Sequence, residues 1–146
     1  MSDVVVLSYS ECEALLRSGV AGRVAVTGPA GPHIIPVNYS VVGPSIVLRT
    51  SPKSVLGTHG GDAILAFEVD QFDYEYHQGW SVVARGRGHV IEDEGEMVQV
   101  ERVWPPRPWA GGDRPLFLRL AWTELTGRRV GRGYNPLAGL PVRRVV

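Results

Sequence analysis

Hydrophobic positions in this chain repeat with two periods, and the two-residue alternation of strands dominates. Cys12, Leu15 and Leu16 recur at helical spacing behind Ser8 and Ser10, either of which suits an N-cap. Glu11 and Glu13 fall in the positive first turn and Gly19 is a stop, so a short amphipathic helix is predicted. Gly22 to Thr27 then reads as a strand, 28–32 as a turn, and His33 to Val42 as a longer strand. Gly43-Pro44 turns the chain into a third strand, Ser45 to Thr50. Pro52 lacks the donor that a central strand requires and suits a helix start, which predicts a short helix from Pro52 to about Thr58. Ala63 to Val69 and Trp80 to Ile91 follow as strands, the second with Gly86 and Gly88 marking a bulge or barrel corner. Met97, Val100 and Val103 or Trp104 give Glu92 to Trp104 an apolar helical stripe. Leu116 to Leu125 is the last strand, with Leu116, Leu118, Leu120 and Trp122 on one face and Phe117, Arg119 and Thr123 on the other. The pattern predicts a mainly β protein, a six-stranded antiparallel barrel with a few short flanking helices.

Composition narrows this further. A chain of 146 residues with 44% hydrophobic and 21% charged positions is one unit able to bury a core. Its 22 valines, punctuated by 18 glycines and 11 prolines, favour pleated sheet and turns. Fifteen basic residues balance fifteen acidic ones, so no overall field attracts nucleic acid or an acidic membrane, and neither is expected as a partner. Cys12, the single cysteine, cannot form an internal disulfide, and the first residues lack a basic region and a long apolar run. A cytoplasmic location is expected. From Gly127 the composition shifts to five arginines and no acid, which divides the chain into a barrel over 1–126 and a basic tail over 127–146. The tail is expected to pack on the barrel or a partner subunit, with docking to something anionic as the alternative.

Catalytic constellations are absent from the sequence. There is no Gly-x-Ser-x-Gly elbow, and His33, His59, His77 and His89 lack metal-ligand spacing, so neither a catalytic side chain nor a metal is assigned. The informative segment is Arg49-Thr50-Ser51-Pro52-Lys53-Ser54, where a strand end meets a helix start. It gathers a guanidinium, the chain's one ammonium side chain and three hydroxyls, an inventory that suits a phosphate monoester. The same residue types are also ordinary turn formers, and both readings stand on the residues alone.

The succession of a helix, GRVAV, HIIPVNY, SIVLRTSPKS, AILAFEV and GWSVVARGRGHVIED resembles the flavin-binding split-barrel family over roughly residues 8–126. That family includes pyridoxamine 5′-phosphate oxidase and nitroimidazole-resistance-type proteins. The resemblance implies FMN bound at a homodimer interface, its phosphate and ribityl chain held by Arg49, Thr50, Lys53 and Ser54. It places Pro36, Val37, Asn38 and Tyr39 along the isoalloxazine edge, with Asn38 the polar candidate. It makes Trp80 and Ser81 the start of a strand that reaches the flavin of the opposite subunit. A strand asparagine satisfied beside a turn, and tryptophan as interface packing, are the local alternatives.

Departures from the family bear on function. Arg128, Arg129 and Arg132 do not align with the oxidase's basic substrate-binding signature, so oxidation of vitamin B6 is not expected. His59 only loosely matches the histidine of nitroimidazole-type relatives. Relatives that use the deazaflavin F420 display a wider basic groove, which neutral net charge disfavours and the arginine-rich tail favours. The expected function is an FMN-dependent oxidoreductase passing electrons from NAD(P)H or another donor to a small acceptor, with the chemistry supplied by the flavin. The alternatives are a non-catalytic flavin, F420 or haem binding protein on the same fold, and a partner-binding module that docks through its tail.

Overall fold

A computed structural model describes residues 4–103, 112, 114–138 and 140. Ser8 rather than Ser10 caps the first helix, α1 (Tyr9–Ser18). Its hydroxyl accepts from the Glu11 N–H while the Glu11 carboxylate accepts from the Ser8 N–H, and Gly19 ends the helix. The alternating strands follow as β2 (Ala21–Gly28), β3 (Gly31–Val42), β4 (Ser45–Thr50), β5 (Ile64–Asp73), β6 (Gln78–Val90) and β7 (Leu116–Val130). A further strand, β1 (Val4–Val6), pairs with the end of β7 and was not anticipated, because three valines carry no alternation to read. Helix α2 spans Val55–His59 and α3 spans Glu94–Val103. Helix α2 starts later than expected: Ser54 is its N-cap, leaving Pro52 in the turn before it. Trp104, the expected end of α3, lies outside the described residues.

Six strands close a ring in the order β7, β4, β3, β2, β5, β6, with β6 returning to β7 and every pairing antiparallel. The split barrel read from the sequence is therefore the fold. Followed around the ring from Arg49, the registers arrive at Arg128 on β7, whereas Arg49 itself pairs with Phe117. The wall thus closes with about ten residues of stagger, which tilts the strands strongly. The ladder between β6 and β7 shifts register at Arg85/Gly86, where the glycines had marked a bulge. A Cβ on Gly86 would lie 2.1 Å from the Ala121 carbonyl oxygen, so only glycine permits that approach.

Alternate residues of each strand fill the interior: Val24 and Val26, Tyr39 and Val41, Ile46 and Leu48, Leu65, Phe67 and Val69, Val82 and Ala84, Leu118 and Leu120. Helix α1 closes one end of the barrel through Cys12, Leu15 and Leu16, and Leu56 of α2 enters the same core at the other end. Helix α3 lies on the outside of the β4–β7 wall, over a smaller core of Val47, Ile91, Val100 and Phe117. The basic stretch does not begin as a tail, because Gly127 to Val130 are strand β7. Beyond them Tyr134, Leu137 and Leu140 pack against the main core. No helix among the described residues is long and apolar enough to cross a membrane.

Candidate functional site

The bend after β4 is built by its own hydroxyls. The Ser54 hydroxyl donates to the Ser51 carbonyl at 2.7 Å, accepts from the Gly57 N–H at 3.0 Å and lies 2.7 Å from the Thr50 hydroxyl. Thr50 follows the inward parity of Ile46 and Leu48 and is only 4% exposed. Gly57 packs against the bend so closely that a Cβ there would sit 2.1 Å from the Ser51 carbonyl oxygen. Thr50 and Ser54 therefore shape the bend with their hydroxyls already engaged.

The two cations are disposed differently. Arg49 has outward parity; its Nε donates to the Arg114 carbonyl at 3.2 Å and its guanidinium carbon lies 5.0 Å from the Phe117 ring centroid. Stacking on that ring and one backbone bond orient the fork without neutralising it. Lys53 is exposed, and among the described residues neither cation has a carboxylate within ion-pair distance. Phe117 also lines an apolar cleft of about 420 Å³ beside α3, together with Met97, Val98, Glu101 and Arg102. An unneutralised guanidinium stacked on a residue of that apolar cleft fits an anionic ligand with a flat apolar body.

The strand residues divide by parity. Asn38 and Pro36 face outward on β3, and extending the β3–β4 ladder one step beyond Tyr39↔Leu48 sets Asn38 beside Arg49. The Asn38 amide donates to the Val20 carbonyl at 3.3 Å. Val37 and Tyr39 face the interior, where the Tyr39 hydroxyl donates to the Leu16 carbonyl at 2.5 Å and its ring meets Phe67 edge-on. Tyr39 is thus a strut between barrel and helix, remote from any outer ligand. Trp80 is likewise a core residue, 4% exposed, and its indole N–H has no acceptor among the described residues. Its neighbour Ser81 faces outward. Within one chain this pair does not join the cradle: followed around the wall, Ser81 lies four strand spacings, ~19 Å, from Arg49.

Sequence reading missed a charged cluster on the outer wall between Asn38 and Ser81. One Arg23 nitrogen bonds Glu68 at 2.8 Å and Asp70 at 2.9 Å. Burial first, and then Asp70 beside it, push the Glu68 carboxyl up to about 7, outweighing the opposing pull of Arg23. The charges at outward positions of β2 and β5 were visible as residues; their meeting required the β2–β5 register. Among the described residues no three His, Cys, Asp or Glu side chains are grouped to hold a metal.

The pyridoxamine 5′-phosphate oxidase family model matches residues 8–129. The chain belongs to this family. An uncharacterised Mycobacterium tuberculosis protein is 32% identical over 133 residues, covering 88% of this chain and 86% of its own length. The solved structure of an FAD binding protein from Mycobacterium smegmatis superposes with a TM-score of 0.73 at 30% identity, covering 87% of this chain and 98% of that one. A candidate pyridoxamine 5′-phosphate oxidase from Corynebacterium glutamicum gives 0.76 at 26% identity, covering 92% and 98%. Membership of this family agrees with the ring of six strands.

Proposed function

We propose that this protein is a flavin-dependent oxidoreductase that carries electrons from NAD(P)H or another reduced donor to a small acceptor. The observation that carries the reading is the pair of cations, Arg49 and Lys53, on the bend between β4 and α2, neither with a carboxylate partner among the described residues, and Arg49 stacked on Phe117 of the apolar cleft. Arg49 and Lys53 would hold the flavin phosphate, the fork oriented by Phe117 and the ammonium free to follow the remaining oxygens. Pro36 and Asn38 would border the ring, and a second subunit would bring Ser81 to it. The flavin supplies the redox chemistry, while these residues bind, orient and exclude water. FMN is the proposed occupant of the phosphate cradle; the Mycobacterium smegmatis relative is an FAD binding protein, and the mass of the extracted cofactor decides between these and F420.

The test is direct. The purified protein is expected to be yellow, or to take up added FMN, and to reduce a quinone or nitro compound over many turnovers with NAD(P)H. A colourless chain that binds no flavin ends this reading. A second reading, a flavin, F420 or haem carrier without turnover, draws support from a relative named for binding alone. Pigment that binds tightly without repeated turnover, across several donors and acceptors, selects it.

A further inference from the structure

Helix α3 has a second cavity on its other flank, between the helix and the β3–β4 hairpin, with a volume of about 510 Å³. Its sides are apolar: Val42 and Val47 from the hairpin, Val100 from the helix and Ala121 from β7. Register explains the floor, since Val42 pairs with Ser45, Ser45 with Ala121 and Val47 with Arg119, all on the outer face of the wall. The polar groups are few. Arg119 gives one guanidinium nitrogen to Glu96, while its buried Nε has no acceptor among the described residues. Ser45, 7% exposed, lines the floor with a hydroxyl, and Gln99 borders the cavity from the helix.

These features select a ligand. The volume falls within the ~300–1,000 Å³ of small-molecule sites, and a slot between a helix and a sheet takes a flat body. Arg119 and Glu96 cancel one another, and the acids Glu92, Asp93 and Glu94 lead into the same helix, so an anion finds no surplus cation here. Net charge set among valines would also lose its hydration without a partner. What the cavity lacks is an acceptor for Arg119. We propose that it binds a neutral, flat ring compound whose polar atoms are acceptors only, of which alkylated quinones are the simplest class. The ring would lie against Val42, Val47 and Val100, one carbonyl oxygen accepting from Arg119 and the other from Ser45 or Gln99. Val47 stands two residues before Arg49 and Arg119 two after Phe117, so the floor begins ~7 Å from the cradle along the same face. Under the flavin reading the occupant is the electron acceptor: the quinone gains two electrons and two protons and becomes the hydroquinone as the reduced flavin is oxidised. That role rests on the flavin reading; the binding itself does not.

Equilibrium dialysis of the flavin-free full chain against duroquinone, whose fully methylated ring resists addition of thiols and amines, is expected to show saturable binding at one site per chain. Durene, the same ring without its oxygens, should bind ~10-fold more weakly, the scale of a hydrogen bond from a charged donor. The carboxylate of that ring should bind no better than durene. Ala121→Phe fills the cavity from β7 and Arg119→Met removes the open donor. Each should weaken duroquinone ~10-fold or more while the far-ultraviolet spectrum and cooperative melting are kept, and Ile34→Arg on the opposite wall should change nothing. Should Ala121→Phe fail to fold, Arg119→Met and the durene comparison decide. No saturable binding, durene bound as tightly as duroquinone, or binding indifferent to these substitutions overturns the proposal. A chain that binds duroquinone but takes up no flavin ends the flavin reading and leaves this one standing; FMN uptake without duroquinone binding does the reverse.

Discussion

Removing the cradle cations one at a time separates binding from folding, because the two side chains are anchored so differently. Lys53 is exposed and has no ion-pair partner among the described residues, so Lys53→Ala should change the stability of the chain by less than ~0.5 kcal/mol. Arg49 stacks on Phe117 and bonds the Arg114 carbonyl, so Arg49→Ala also loses packing and one hydrogen bond, ~1–2 kcal/mol of stability. Each charge-assisted bond to a phosphate is worth ~1.5–3 kcal/mol. Lys53→Ala alone should therefore weaken FMN by ~10- to 150-fold, and the double variant by ~10²- to 10⁴-fold. Flavin fluorescence quenching on titration gives the dissociation constants, and thermal melting of the same flavin-free samples gives stability. If both single variants bind FMN within threefold of the parent while folding normally, the phosphate does not sit on this bend and the assignment is wrong.

Three further expectations concern the framework. Gly57→Ala forces a methyl to within 2.1 Å of the Ser51 oxygen, so the bend must open; a stability loss of ~2 kcal/mol together with weaker flavin binding is expected, read by melting and titration. Ser8→Ala removes the hydroxyl half of the capping box on α1 and should cost ~1 kcal/mol in denaturant unfolding, with flavin affinity unchanged. Glu68 holds its proton to about pH 7 in the folded chain, against 4.5 for an ordinary glutamate. The folded state therefore binds more protons than the unfolded state between those values, and this group's contribution to stability falls as pH rises from about 4.5 and levels off above about 7. Glu68→Gln should remove that slope in melting curves; an unchanged slope would assign it elsewhere.

Much of this protein is written locally. Ser8 with Glu11, the alternation of Leu116, Leu118, Leu120 and Trp122, the turn at Gly43-Pro44 and the break at Pro52 each act through their own backbone, and each appears where the pattern put it. Strand ends were less legible: β5 runs on to Asp73 and β7 to Val130, because pairing partners extend a strand beyond its apolar stretch. The cations and hydroxyls of the segment from Arg49 to Ser54 were likewise readable as residue inventory. The sequence did not reveal that the Tyr39 hydroxyl meets the Leu16 carbonyl, that Phe117 and Arg114 orient Arg49 from across the chain, or that Asn38, Asp70 and Ser81 share a row. Those facts depend on the stagger with which six strands close into a ring. Periodicity sets which side of a strand a residue faces, whereas closure, a property of all the pairings together, decides what it faces.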